Sequence, residues 1–124
     1  MGQFSLIVDS DGDLLESMAE YFVRRGFDVA ATGCYQAAME AAGVQPFNAA
    51  IIDLSLDARV GLRVIKQIHT AACTTTVIAL SGHDEVRFER EAFENGASEY
   101  FRKPCSLAAL AQRIASEFDI ACHS

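Results

Sequence analysis

Four widely separated positions carry side chains that together could handle a phosphoryl group: the carboxylates of Asp9 and Asp53, the hydroxyl of Ser81 and the ammonium of Lys103. Each follows a short apolar run: Leu6-Ile7-Val8, Ala49-Ala50-Ile51-Ile52, Val77-Ile78-Ala79-Leu80 and Tyr100-Phe101. Asp11 places another acid two residues after Asp9. Carboxylates gathered in one place repel each other, and a hard divalent cation such as Mg²⁺ relieves that repulsion while accepting phosphate oxygens. An ammonium and a hydroxyl can hold further phosphate oxygens. Phosphoryl transfer is mostly positioning and charge stabilisation, so this set suffices for transfer to, or next to, a carboxylate.

Each residue alone has a plainer reading. Asp9 to Asp11 would serve as an acidic helix-capping turn, Asp53 as a polar strand end, Ser81-Gly82 as a turn and Lys103 as a solvated charge. The functional reading rests on their joint placement at the ends of successive strands, where open α/β sheets bind ligands. That placement predicts a rim open to water.

The elements that must position these residues alternate along the chain. A β-rich run, Phe4 to Val8, stops at the turn Asp9-Ser10-Asp11-Gly12. Leu14, Leu15, Met18, Phe22 and Val23 recur at helical spacing, and Gly26 closes that helix. Asp28 to Ala31 reads as a second strand, and Tyr35 to Ala42 as a helix ended by Gly43. Ala49 to Ile52 is a third strand ending at Asp53. Leu62, Ile65 and Ile68 mark one face of the next helix. Val77 to Leu80 is a fourth strand, Asp84 to Glu94 a helix stopped by Asn95-Gly96, and Tyr100-Phe101 a fifth strand. Ser106 caps a last helix with Leu107, Leu110, Ala111, Ile114 and Phe118 on one face. Five strands alternating with five helices imply a parallel sheet covered on both faces. The continuous apolar character of the third and fourth strands places them at its centre.

Composition narrows the function classes. The 124 residues suit one domain with one core, and 51% apolar and 22% charged residues are those of a globular chain. A net charge of −7 repels a phosphate backbone, so a nucleic-acid binder is not expected. No apolar run approaches the length of a membrane span, and Met1-Gly2-Gln3-Phe4 leads directly into the domain pattern without a leader. Cys34, Cys73, Cys105 and Cys122 show no metal-binding spacing and read as free thiols in a reducing, cytoplasmic setting.

Leu6-Ile7-Val8-Asp9, Ile51-Ile52-Asp53-Leu54, Gly61-Leu62, Val77-Ile78-Ala79-Leu80-Ser81-Gly82 and Tyr100-Phe101-Arg102-Lys103-Pro104 together resemble a response-regulator receiver domain of the single-domain chemotaxis type. The resemblance runs from about Phe4 to Phe118, within a single domain spanning residues 1–124 and with no output domain expected. It implies a flavodoxin-like (βα)5 three-layer sandwich with a parallel sheet in the order 2-1-3-4-5. It makes Asp53 the phosphoacceptor, and Asp9, Asp53 and the main-chain carbonyl of Ser55 the Mg²⁺ ligands. Ser81 becomes the switch hydroxyl, Lys103 the phosphate-contacting lysine and Tyr100 the aromatic that changes rotamer. A cis Lys103-Pro104 peptide is also implied. The implied partners are a histidine kinase or histidine phosphotransfer protein and a downstream protein target, with no membrane and a monomeric or weakly dimeric chain. The activity is self-phosphorylation and dephosphorylation rather than that of an enzyme. The signal would leave through the face of the fourth helix, fifth strand and last helix, or by onward phosphotransfer.

Three positions depart from the family pattern. Ser10 stands where a second acid is usual, which predicts weaker Mg²⁺ binding, with Asp11 reaching the ion through a water. Asp57 replaces the usual proline, which frees φ, restores an N–H and predicts a more mobile loop after Asp53. His83 and Ser55 sit where the family tunes hydrolytic water, although a loop imidazole without a role fits His83 equally. Two rival readings follow. One is a pseudo-receiver, a docking module that is not phosphorylated. The other is a haloacid-dehalogenase-type phosphatase, because Asp9-Ser10-Asp11-Gly12 also resembles that family's nucleophile and general-acid loop; it leaves Asp53 without a task.

Overall fold

The structure is a computed structural model describing residues 3–9, 11–44, 47–55, 57–72, 74–82, 86–103, 106, 108–110, 112 and 113. Its elements alternate as β1 (Gln3–Val8), α1 (Gly12–Arg24), β2 (Phe27–Thr32), α2 (Tyr35–Val44), β3 (Ala49–Asp53), α3 (Ala58–Ala71), β4 (Thr76–Ser81), α4 (Val86–Glu94) and β5 (Glu99–Arg102). Residues 108–110, 112 and 113 are also helical. The strands form one parallel sheet in the order β2-β1-β3-β4-β5. The order reverses between β1 and β3, so the first two crossovers leave the sheet in opposite directions and open a crevice at the strands' carboxyl ends.

Burial follows from position in the sheet. Every residue of β3 and β4 is buried, whereas β2 and β5 are only partly covered, as expected of central and edge strands. Because successive strand residues face opposite sides, each central strand feeds two cores. Ile7, Ile51, Ile78 and Leu80 pack with Met18 and Phe22 of α1 and with Leu110 on one side. Val8, Ala50, Ile52, Val77 and Ala79 pack with α2, α3 and α4 on the other, through Ala38, Leu62, Ile65, Ile68 and Ala92. This is the expected three-layer sandwich.

Local chemistry explains the boundaries. Gly96 takes φ 115°, a left-handed turn that L side chains resist, and so ends α4 as the Asn95-Gly96 pair predicts. The Ser106 hydroxyl accepts from the Ala109 N–H at 3.2 Å, the expected cap of the last helix. One expectation differs: Gly43 does not close α2, which continues to Val44. A single helical glycine costs only about 1 kcal/mol relative to alanine, which packing of Tyr35 and Ala38 outweighs. Leu107, Ala111, Ile114, Phe118 and the Lys103-Pro104 peptide lie outside the described residues.

Candidate functional site

The carboxyl ends of β1, β3 and β4 bring the sequence-predicted residues together. Asp9 follows β1 directly, Asp53 ends β3, Ser81 ends β4, and Lys103 follows β5. The sheet secures the approach of each: the Asp9 N–H donates to the Thr32 carbonyl at 3.1 Å, and the Leu54 N–H to that of Leu80 at 2.7 Å. The Lys103 N–H donates to the Ser81 carbonyl at 2.8 Å, which registers β5 against β4 at the site.

At the centre, the Lys103 ammonium lies between two acids. Its Nζ donates to Asp9 Oδ1 at 3.0 Å and to Asp53 Oδ2 at 3.2 Å. The remaining Asp53 oxygen, Oδ1, accepts from the Ser55 N–H at 3.0 Å, and Asp9 Oδ1 also accepts from the Asp11 N–H at 2.8 Å. Asp9 Oδ2 lies 3.0 Å from the same ammonium but off its hydrogen-bonding direction, and it has no hydrogen-bond partner among the described residues. The expectation of a rim open to water needs correction. Asp9 and Asp53 are each 1% exposed and Ser81 is fully buried, while the Lys103 side chain, 19% exposed, is the open member of the group. Packing of both sheet faces closes around the strand ends more tightly than a strand-end position alone implies.

Burial and pairing set the charge states in opposite directions. Desolvation pushes the Asp9 carboxyl above its ordinary value, and Asp53 adds to the rise, against the Asp11 N–H and Lys103. For Lys103, burial pulls the ammonium down, but its bond to Asp9 and the charge of Asp53 outweigh this and leave it raised. A carboxyl raised in the folded state binds its proton more tightly there than when unfolded. Its contribution to stability therefore falls as pH rises from 3.8 through the folded value. Asp9→Asn should accordingly raise the melting temperature at neutral pH in metal-free buffer. The gain should vanish on acidification below the carboxylate range, and differential scanning calorimetry across pH would show an absent or pH-independent gain if burial of Asp9 is not costly.

The acids flanking this pair act on helices. Asp11 Oδ1 accepts from the Asp13 and Leu14 N–H groups at 3.1 and 3.2 Å and caps α1. Asp57 Oδ1 accepts from Arg59 and Val60 at 3.1 and 3.3 Å and caps α3. Replacement of the usual proline does not by itself point to this cap, although Asp four residues before Gly61-Leu62 is a signal for one. Asp57 has φ −158°, far from the roughly −65° that proline imposes, so the usual proline could not adopt this conformation. The Asp57 side chain thus caps α3 where this loop ends. Asp57→Ala should lower stability by ~0.5–2 kcal/mol, read by urea denaturation, because two amides at the start of α3 lose their acceptor.

Two further contacts connect the loops. Ser55 Oγ accepts from the Gly82 N–H at 3.0 Å, linking the loops after β3 and β4. Tyr35, at the start of α2, donates its hydroxyl to the main-chain carbonyl of Asp53 and accepts from the Asp57 N–H at 3.5 Å. Tyr35 was read only as a helix start, and nothing in local periodicity signals a contact 18 residues away. Tyr100 is half-buried against the core beneath α3 and α4, and its buried hydroxyl has no hydrogen-bond partner among the described residues. Ser10, His83 and three cysteines (Cys73, Cys105 and Cys122) lie outside the described residues; Cys34 is exposed and free. No described helix is long and apolar enough to cross a membrane.

Comparison with known proteins agrees with this arrangement. The family model of the response regulator receiver domain matches residues 5–115. A transcriptional activator protein, PfeR of Pseudomonas aeruginosa, is 32% identical over 109 residues, covering 87% of this chain and 35% of its own length. Across the first curated relatives, the chain spans only 29% to 47% of their length. Among solved structures, a CheY-like receiver domain from Methanospirillum hungatei superposes with a TM-score of 0.89 at 22% identity, covering 96% of this chain and 95% of that one. A Burkholderia pseudomallei response regulator, crystallised with a phosphorylated aspartic acid and a calcium ion, superposes with a TM-score of 0.83 at 20% identity, covering 98% and 72%. A relative named as a transcriptional activator leaves the expectation of no nucleic-acid partner without support.

Proposed function

Because the chain belongs to the response regulator receiver domain family, we propose that it accepts a phosphoryl group on Asp53 from a histidine kinase or a histidine phosphotransfer protein. The observation that carries this reading is the Lys103 ammonium held 3.0 Å from Asp9 and 3.2 Å from Asp53, beneath which both carboxylates are buried. The aspartyl phosphate of the Burkholderia neighbour supports it. The phosphatase reading fits poorly, since Asp11, its general acid, is engaged as a helix cap and Asp53 would stand idle at the centre of the site.

An oxygen of the Asp53 carboxylate forms the new O–P bond in line as the P–N bond of the donor phosphoimidazole breaks, and the electron pair leaves with the ring nitrogen. Lys103 transfers its ammonium from Asp53 to an incoming phosphoryl oxygen, so neither charge is left buried alone, and Ser81 donates to another oxygen of the acyl phosphate. The Ser55 N–H on Asp53 Oδ1 holds the carboxylate in position throughout.

The donors present suit Mg²⁺. Among the described residues no three acidic, histidine or cysteine side chains gather into a metal site. Mg²⁺, however, is commonly held by one or two carboxylates, water and phosphate, and Asp9 Oδ2 is a buried hard oxygen with no hydrogen-bond partner among the described residues. Asp9, Asp53 and the Ser55 carbonyl would hold the ion, with Asp11 reaching it through water. When bound, it would neutralise charge on the phosphoryl oxygens.

Phosphorylation would draw Ser81 toward the phosphate and let Tyr100, whose buried hydroxyl has no hydrogen-bond partner among the described residues, change rotamer. That population shift would alter the face of α4, β5 and the last helix for a downstream protein, or precede onward transfer of the phosphate. A cytoplasmic, monomeric or weakly dimeric chain belongs to the same proposal. Incubation with acetyl phosphate, with and without Mg²⁺, tests it by intact mass and peptide mapping. A Mg²⁺-dependent adduct on Asp53 is expected. An adduct on Asp9 would favour the phosphatase, and none at all the unphosphorylated docking module.

A further inference from the structure

We propose that Tyr35 is a positioning residue for Asp53, its phenol fixing the main chain from which the carboxylate is presented. The inference rests on Asp53 being the phosphoacceptor. The register between β1 and β3 ends at Ile52, one residue short of Asp53, so no residue of β1 is paired with Asp53 itself. The Tyr35 hydroxyl supplies a donor there, to the Asp53 carbonyl.

The same oxygen accepts from the Asp57 N–H at 3.5 Å. One buried phenol therefore joins the residue that carries the nucleophile to the cap of α3, across the loop between them. The Asp57 N–H is the group that a proline in its place would lack. This chain ties the loop with a hydrogen-bond relay in place of a ring constraint.

The surroundings are shaped to hold the phenol. Tyr35 is 6% exposed, and burial pushes its hydroxyl pKa up to about 12, so it remains a protonated donor across the working range. Gly61 of α3 lies against it. A Cβ at that position would meet the Tyr35 hydroxyl at 3.1 Å and Leu54 Cδ2 at 2.6 Å, so any other residue there would have to displace Leu54 and press on Tyr35. Leu54, in turn, is fully buried in the same core as Tyr35.

The test compares the parent chain with Tyr35→Phe and with Tyr21→Phe, which removes the hydroxyl that accepts from Arg25 at the end of α1, away from the site. Phosphorylation rates are measured against acetyl phosphate concentration in Mg²⁺, alongside the NMR shifts of the Asp57 amide and Asp53 carbonyl. Tyr35→Phe should lower the saturating rate roughly fivefold to tenfold, the worth of one hydrogen bond, with half-saturation unchanged. Both NMR signals should move, and Tyr21→Phe should change neither rate nor signals. Site-specific 3-fluorotyrosine at position 35, which keeps the donor, should retain the parent rate and covers the case in which the phenylalanine variant does not fold. A parental rate in Tyr35→Phe, a slowed rate with both signals unmoved, or a slowed fluorotyrosine chain overturns the inference alone. A parent chain that takes no phosphoryl group on Asp53 overturns the functional reading with it.

Discussion

Asp53→Asn should take up no phosphoryl group from acetyl phosphate and Mg²⁺ while the parent chain gains one. The substitution preserves size and leaves an oxygen to accept the Ser55 N–H, now 3.0 Å from Asp53 Oδ1. It replaces the anionic oxygen beside Lys103, and an amide cannot form the acyl phosphate. Loss of labelling with an unchanged circular dichroism spectrum therefore isolates chemistry from folding. Tyr21→Phe is the control, because it removes a hydroxyl bonded to Arg25 away from the site and should leave the label on Asp53. A stoichiometric adduct surviving in Asp53→Asn, mapped to any other acid, would defeat the assignment of the nucleophile.

Lys103→Met should reduce both phosphorylation and stability. The ammonium is the shared cation of two buried carboxylates, and methionine keeps much of the apolar stem while removing the charge. Losing a preorganised charge of this kind should slow transfer to Asp53 by ~10²–10³-fold. Stranding the acids should cost ~3 kcal/mol at neutral pH. The pH dependence identifies the cause. As pH falls through the carboxylate range the acids gain protons and need no counter-charge, so the deficit should shrink. In the parent chain the raised Lys103 contributes stability below the ordinary lysine pKa of 10.5, and that contribution is lost as pH rises through the folded value. Methionine should remove this alkaline component. A deficit independent of pH would mean that Lys103 acts through packing alone.

The loops around this site show why the local sequence left some contacts unread. Asp9, Asp53, Ser81 and Lys103 are legible because each ends an apolar run, and parallel strands place such ends on one side of the sheet. Asp11 is equally legible as a cap, since it lies immediately before a helical pattern. Tyr35 is different. Its ring occupies a core-facing helical position, which predicts burial, but the target of its hydroxyl depends on how α2 crosses beneath the loop after β3. Asp57 lies between these cases: its type and position fit a cap, while resemblance to a proline-containing loop directs attention to what was lost.

The sequence by itself determined the alternation of strands and helices, the two-sided burial of β3 and β4, and the residues at the strand ends, because all of these follow from short-range periodicity and turn chemistry. Only the tertiary structure decided that Lys103 bridges Asp9 and Asp53, that these acids are buried, and that Tyr35 ties Asp53 to Asp57. The reason is distance along the chain: Lys103 is 94 residues from Asp9 and 50 from Asp53, and such contacts arise only when the sheet order and the packing of its helices bring separate segments together.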